Sequence, residues 1–448
     1  MLWNFNIMER KELNSFHYPK GRNTNERRIS VLEGAFVFTV FIFGTRISST
    51  FSTVYVAGLP VHTYFWFASY LTAVGILCLH YGFRWIFWLA RYRLLLGVVL
   101  FVALASVLWS INPILTLQRA IHLTGTTLIG CYIGFHIPLR TALSLLTRAL
   151  VFIIIGNIFI ALAFPHVGQE HLDGTLVWKG WDYHKNGLGA TMAISVLFFA
   201  IHTYSVYVRN RWVYRALCIL SFVVLLKSNS ATGLVTVLVG AGFAISLSLA
   251  NKLRLSGLIT GLLLSFLLLM MSVSSGILIF AGELGTLTGL VGRSADLTGR
   301  TELWEMIWSL VKQRPWLGYG YGGLWNPKPG TVSPIGAHLE SRLGWLPPSA
   351  HNGFLHITSE IGIPTAIIVV LFTIKMYFES LHAYLRRPST FALLVVVLLS
   401  ALIVRMFSEQ VLFTSRSLDW IIFVALPILL LRAPPAKRDV VNKATRPK

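Results

Sequence analysis

Runs of apolar residues long enough to cross a lipid bilayer constrain this chain more than any single motif does. A helix needs roughly 20 mostly apolar residues to span the hydrocarbon core. Such runs fall near 31–45, 59–79, 94–110, 117–135, 142–163, 188–206, 212–227, 231–250, 256–281, 354–375, 391–408 and 418–431, the first and seventh being short. Hydrophobic residues make up 55% of the 448 and charged residues only 12%, where a soluble domain carries about 25% charge. That excludes a water-soluble enzyme of this size. Backbone groups in lipid must be satisfied within the segment that carries them. The expected fold is therefore all-α, a polytopic membrane protein of about 12 transmembrane helices.

Charge placement gives the orientation. The 38 Lys and Arg against 17 Asp and Glu leave a net charge of +21, a balance that by itself suggests a nucleic-acid partner. Its distribution argues otherwise. Lys and Arg concentrate in the cytoplasmic loops of membrane proteins, and with an inside N-terminus the twelve runs place well over half of them on one side. Clusters at Arg10–Arg28, Arg84–Arg93, Arg209–Arg215 and Arg432–Lys448 all fall there. Both termini are expected in the cytoplasm, and the excess charge reads as a topology signal and a contact with membrane lipids, not nucleic acid. The expected organisation is a basic tail over 1–30, a transmembrane catalytic domain over 31–432 and a second basic tail over 433–448. No apolar stretch leads to a cleavage site in the first 30 residues, so the first span is expected to direct insertion. Cys78, Cys131 and Cys218 lie in apolar segments at unrelated spacings, which points to neither a disulfide framework nor a thiolate metal site.

Two long loops fall on the outer side, 164–187 and 282–353, and loops of that length in a compact bundle are usually functional. In the second, Thr298 reads as an N-cap with Glu302 in the first turn. Leu303, Trp304, Ile307, Trp308, Leu310 and Val311 then form an apolar face, and Arg314 ends the short amphipathic helix before Pro315. Its two Trp suggest that it lies in the membrane interface. Packing does not explain Arg300, a cation in the first turn, where the helix dipole opposes it; its partner is either Asp296 or a ligand phosphate. Further on, Ser349-Ala350-His351-Asn352-Gly353 leads into the next span. With a helix from near His351, Asn352, His356 and Glu360 share a face, and Pro364 cannot supply the hydrogen bond that the Glu360 carbonyl expects, so the helix kinks or opens. His356 and Glu360 are either a packing pair or part of a wet cavity. His351, at the loop-to-helix junction, is the candidate functional histidine.

The shorter loop alternates aromatic and cationic residues over Trp178-Lys179-Gly180-Trp181-Asp182-Tyr183-His184-Lys185-Asn186-Gly187. This suits stacking on sugar rings and pairing with phosphate, or an interfacial aromatic belt with snorkelling lysines. His166, His171, Asp173, Asp182 and His184 match no metal-ligand spacing, so neither a metal nor a cofactor is expected. Arg46, Arg119, Lys227, Arg405 and Arg416 stand at outer ends of spans; Glu409 or Asp419 can neutralise Arg405 or Arg416, whereas Arg119 and Lys227 have no acidic neighbour in sequence. An outer cavity lined with cations and a few histidines suits a lipid carrying a diphosphate and a glycan. Cations would hold the diphosphate, and an imidazole would take the proton of an attacking hydroxyl.

These stretches resemble the O-antigen ligase and polysaccharide polymerase superfamily of bacterial inner membranes, most closely its exopolysaccharide polymerase branch. His351-Asn352 followed by Gly362 and Thr365 is similar to the family's histidine motif. Thr298-Gly299-Arg300 with Trp304, then Arg314-Pro315-Trp316-Leu317-Gly318-Tyr319-Gly320, is similar to its large-loop signature. His184-Lys185-Asn186-Gly187-Leu188-Gly189 resembles the polymerase branch's loop motif, and Ser228-Asn229-Ser230 sits where the family has a serine-rich helix start, with Asn229 in place of its arginine and Lys227 as the nearest cation. The resemblance implies a metal-independent glycosyltransferase with a periplasmic active site, which moves a glycan from an undecaprenyl-diphosphate carrier to an acceptor hydroxyl. It implies His351 as base and Arg300, Lys185 and Arg119 on the diphosphate. Asn352 would orient the acceptor or the imidazole, and Asn186, Lys227 and Arg314 would line the substrate site.

Within this chemistry, a polymerase would join lipid-linked repeat units, and a ligase would transfer the finished glycan to lipid A core or a protein hydroxyl; the His184–Lys185–Asn186 segment favours the polymerase. A transporter or flippase often shows Gly/Pro-broken spans in corresponding halves, and no such symmetry is visible here. Arg300→Lys is expected to impair glycan transfer strongly, because a point charge does not replace a bidentate fork; wild-type turnover in that variant would exclude Arg300 from the diphosphate site.

Overall fold

The computed structural model describes residues 29–47, 55–56, 59–172, 175–205, 208–253, 298–325, 341, 347 and 349–433. Every apolar run coincides with a helix except 256–281, which lies outside the described residues, as do residues 1–28 and 434–448 of the basic tails and about half of the 282–353 loop. Ser30 opens α1 (Val31–Ile42) with a capping box: its hydroxyl accepts the Glu33 N–H at 3.1 Å while the Glu33 carboxylate accepts the Ser30 N–H at 2.9 Å. A two-residue hairpin, β1 (Tyr55–Val56) with β2 (Leu59–Pro60), precedes α2 (Val61–Tyr81), α3 (Arg84–Tyr92), α4 (Leu94–Ala105), α5 (Pro113–His136) and α6 (Leu139–Ala163). The single turn α7 (Pro165–Gly168) leads into a second hairpin, β3 (Gln169–Leu172) with β4 (Thr175–Trp178). Then come α8 (Lys185–His202), α9 (Arg211–Ser228), α10 (Ala231–Lys252), α11 (Thr298–Gln313), α12 (Gly353–Arg386), α13 (Thr390–Arg405) and α14 (Leu418–Arg432).

The fold is nearly all α. The 164–187 loop of this expected all-α chain carries the β3–β4 hairpin. Among the described residues four helices, α2, α6, α10 and α12, are long and apolar enough to cross a membrane, and α1, α4 and α13 are shorter apolar helices. Helix α5 has the length, at 24 residues, but Gln118, Arg119, His122 and four threonines dilute its apolar character. Helix α13 is buried along nearly its whole length and touches α8, α10, α12 and α14; α14 is buried likewise and packs along α5. A helix that is apolar on every face belongs at the centre of a bundle, and these two sit there.

Helix α12 is interrupted where its sequence demands. Gly362 leaves helical geometry at φ 79° and ψ 166°, a region open essentially to glycine alone, and Pro364 has no N–H to give the Glu360 carbonyl. The turn after α11 fills the gap. Gly320 donates its N–H to the Glu360 carbonyl at 2.8 Å, Tyr319 donates to the Ser359 carbonyl at 3.0 Å, and Ile363 donates to the Pro315 carbonyl at 2.8 Å. Backbone groups orphaned by the break are thus paired across two segments. The approach is so close that a Cβ on Gly318 would strike the Glu360 carbonyl, and one on Gly362 would strike that of Trp316. Two motif stretches far apart in sequence therefore form one structural unit.

That unit seats α11. The helix ends at Gln313 before Pro315, as expected, but its apolar face packs on protein rather than lipid. Leu303, Trp304, Ile307 and Leu310 form a small core with Tyr319, Leu324, Trp325 and Ala350, and Trp308 alone of the two Trp stays exposed. Gly362→Ala is expected to cost about 1–3 kcal/mol from backbone strain alone, with added loss from the collision at Trp316. Thermal unfolding of the detergent-solubilised protein measures this, and an unchanged midpoint would contradict the role assigned to the break.

Candidate active site

The N-termini of α8, α10 and α12 meet on the side of the bundle that carries α11. His184 caps α8, with its Nδ1 accepting the Asn186 N–H at 3.3 Å. Ser230 caps α10 through the Gly233 N–H, and Asn352 caps α12 through the Leu355 N–H at 3.0 Å. Each helix N-terminus carries a partial positive charge of about half an electron, so the meeting point favours an anion. The anion present there is a carboxylate from elsewhere in the chain, Glu409, in the loop between α13 and α14.

Glu409 joins the termini. Its Oε2 lies 3.2 Å from His351 Nδ1, and its Oε1 accepts the Asn186 side-chain N–H at 3.2 Å. The Asn186 carbonyl oxygen in turn accepts the Ser230 hydroxyl at 3.3 Å. An ionised carboxylate can only accept, so Nδ1 of His351 carries the proton and Nε2 is the basic nitrogen. This is the arrangement of a carboxylate that orients a histidine base. The absence of a Cβ at Gly189 lets α8 approach Ser228 and Ser230 closely enough to close the chain of contacts.

His351 is held from behind. It lies outside α12, in the left-handed region at φ 47°, because Asn352 takes the cap and the helix starts at Gly353; the expected helix start at His351 is corrected by two residues. The preceding peptide is clamped on both sides. Trp304 of α11 donates its indole N–H to the Ala350 carbonyl at 2.8 Å, and the Ala350 N–H is donated to His356 Nδ1 at 3.3 Å. Gly353 donates to the Met406 carbonyl at 2.7 Å, docking this segment on the loop that carries Glu409. His356 and Glu360 are buried and paired at 3.0 Å, with the imidazole stacked on Trp325. They are the packing pair among the two readings, and they position Ala350.

The other expected residues divide. Lys185 and His184 adjoin the network: the Lys185 N–H reaches Glu170 at 2.9 Å, and His184 lies within electrostatic reach of both Glu409 and His351. Burial first, then the Lys185 and His351 charges, hold the His184 pKa below the usual imidazole value, against the opposing pull of Glu170 and Glu409. Arg119 is elsewhere, bound to the Gly322 carbonyl. Arg314 is exposed and lies over the Tyr319 ring at 4.9 Å, and Lys227 is exposed at the end of α9; no contact joins either to the network. Arg300 lies in the first turn of α11, and its side chain is outside the described residues. Trp181 is buried against Phe152 and cannot stack on a sugar ring. Asn229 closes α9 in the left-handed region at φ 51°, a cap that asparagine tolerates better than arginine does.

Glu409 was read from sequence only as a neutraliser of Arg405 or Arg416. Asp419 takes Arg405 at 3.0 Å, and Glu409 goes to His351. The one signal in sequence was an acid at the outer end of a span that had two acids to share between its arginines.

The site is thus a histidine–carboxylate pair set among three helix N-termini, in a protein of apolar helices. Comparison with known proteins agrees with the motifs. The family model described as O-antigen ligase matches residues 216–370, a range that contains Ser228–Ser230, α11 and His351. Exopolysaccharide production protein ExoQ of Rhizobium meliloti (strain 1021) is 26% identical over 304 residues, covering 66% of this chain and 67% of that protein. Together they support the O-antigen ligase and polysaccharide polymerase superfamily, and with it a membrane polymerase or ligase of bacterial polysaccharide synthesis.

Glu409→Gln keeps an acceptor but offers the imidazole a neutral one, and its amide can turn a donor toward Nδ1. Turnover is expected to fall by up to about 10⁴-fold, the scale reached when a base histidine loses the carboxylate that fixes its tautomer, with folding retained. A steady-state assay on the purified variant measures it, and wild-type kcat would remove Glu409 from the site.

Proposed function

We propose that the protein polymerises exopolysaccharide or O-antigen repeat units on the periplasmic face of the bacterial inner membrane, transferring a glycan from an undecaprenyl-diphosphate carrier to a sugar hydroxyl of the next lipid-linked unit. His351 Nε2 takes the proton of the acceptor hydroxyl, whose oxygen bonds to the anomeric carbon of the donor. The bond from that carbon to the diphosphate breaks, and the carrier diphosphate leaves. Glu409 holds the imidazole in the required tautomer and stabilises the imidazolium that forms. Lys185 and Arg300, the cations of the two loop motifs, would stabilise the charge that develops on the leaving diphosphate. No metal enters this scheme.

The observation that carries the reading is the contact of His351, through Glu409, with Asn186. It ties the superfamily's histidine motif to the loop motif of the polymerase branch, and the exopolysaccharide production named for the Rhizobium meliloti relative points the same way. Purified protein given lipid-linked repeat units alone is expected to produce a ladder of longer glycans, with a chelator present as well as without it. Product only after lipid A core is added would establish a ligase instead. His351→Ala is expected to lower ladder formation by about 10²- to 10⁴-fold, the range of a positioned general base, while membrane insertion is unchanged.

A further inference from the structure

A second group of polar side chains lies beside the same face of the bundle and shares no member with the His351 network. Arg119, His122 and Thr126 stand on one face of α5 at three- and four-residue spacing. Thr126 Oγ1 accepts the backbone N–H of Arg416 at 2.9 Å, which fixes the loop between α13 and α14 against that face. Arg416 is in the left-handed region at φ 56°, which a bulky residue keeps only where its surroundings enforce it. From α2, Tyr70 reaches His122 Nδ1 at 3.0 Å, and Tyr321 donates its hydroxyl to the Phe413 carbonyl at 2.6 Å. Arg119 and Arg416 lie within electrostatic reach of each other, and Arg416 also within reach of Tyr70, Tyr321, His122 and His62.

This half-buried pair differs from the two buried guanidiniums of the described residues, Arg93 and Arg405. Arg93 has the Glu379 carboxylate at 2.7 Å, and Arg405 has that of Asp419 at 3.0 Å. Among the described residues neither Arg119 nor Arg416 is in an ion pair, and Glu360, the acid within reach of Arg119, is already held by His356 at 3.0 Å. Two like charges partly withdrawn from water, neither of them paired with an acid, carry a desolvation cost, and burial is the main cause that holds the Arg416 pKa below the ordinary guanidinium range. An external anion would offset that cost. Apolar surface is exposed on the same two helices: Phe67 packs on the His122 ring at 5.2 Å and is itself exposed, as are Leu71 of α2 and Ile114 and Leu117 of α5. An anionic head with a hydrocarbon tail matches both features.

We infer that Arg119 and Arg416 form a second anion pocket, which holds the diphosphate of the acceptor's carrier lipid. The inference rests on the polymerase reading, in which both substrates are carrier-linked. The donor's diphosphate must leave beside the base, whereas the acceptor reacts at its distal sugar, so its diphosphate belongs a repeat unit away. The two groups are distinct: among the described residues no hydrogen bond or ion pair joins His351 or Glu409 to Arg119 or Arg416.

The test is native mass spectrometry of the full-length protein in detergent, titrated with undecaprenyl diphosphate that carries no sugar. Wild type is expected to bind two equivalents. Arg416→Gln and Arg119→Gln are each expected to weaken one of the two at least about tenfold and to spare the other, while His351→Ala retains both. Arg119→Gln carries the test should Arg416→Gln fail to fold. A single equivalent in wild type, or unchanged binding in the arginine variants, overturns the inference. Displacement by phosphatidylglycerol, or by inorganic pyrophosphate without a lipid tail, overturns it too, by assigning the pair to bulk lipid or to the free anion. The ladder assay on the same preparations separates the two claims: two equivalents, one of them lost in Arg416→Gln, with no ladder, would leave the pocket and remove the polymerase reading.

Discussion

The break in α12 at Gly362 and Pro364 is the constraint on which the candidate site depends. A continuous helix would satisfy its own carbonyls and leave the turn at 314–320 nothing to bind. Because Pro364 lacks an N–H and Gly362 turns away from the helix, backbone groups on both sides need partners, and Gly320, Tyr319 and Pro315 provide them. In a medium where an unpaired backbone group is expensive, this exchange fixes the turn firmly. The turn carries α11, α11 carries Trp304, and Trp304 grips the carbonyl before His351. Strain at the helix break is thereby converted into a defined position for one imidazole.

The second organising element is the carboxylate of Glu409 at the junction of three helix N-termini. It bonds the histidine of one motif and the amide of another, and the amide reaches a serine of a third. No single helix could hold these groups together. They meet because α8, α10 and α12 all begin on the same side of the bundle and pack around the buried α13, whose end delivers Glu409.

Much of this was legible in the sequence. Eleven of the twelve apolar runs fall on helices of the described residues, although α12 continues to Arg386, well past the end of its run at 375. Pro315 gave the end of α11, and Pro364 the kink, because a missing N–H is a local fact. His351 and the 184–187 segment stood out as polar groups at the ends of spans. The roles of Glu409 and Arg416 were not legible. Both looked like neighbours of Arg405 in a loop, and nothing local says that Asp419 takes Arg405 while Glu409 swings to a histidine 58 residues away. Trp181 and the interfacial placement of α11 misled for the same reason: an aromatic in a polar loop reads as exposed until the surface that covers it is known.

The sequence by itself determined that this is a helical membrane protein, where its described helices begin and break, and which few polar residues lie near their ends. Those properties follow from side-chain polarity, proline and glycine, which act within one turn of the chain. Tertiary structure alone decided that Lys185 and Asn186 stand with His351, that Arg119 stands with Arg416, and that Arg314 and Lys227 stand with neither. Such pairings depend on how helices distant in sequence pack side by side, and no local pattern encodes a partner hundreds of residues away.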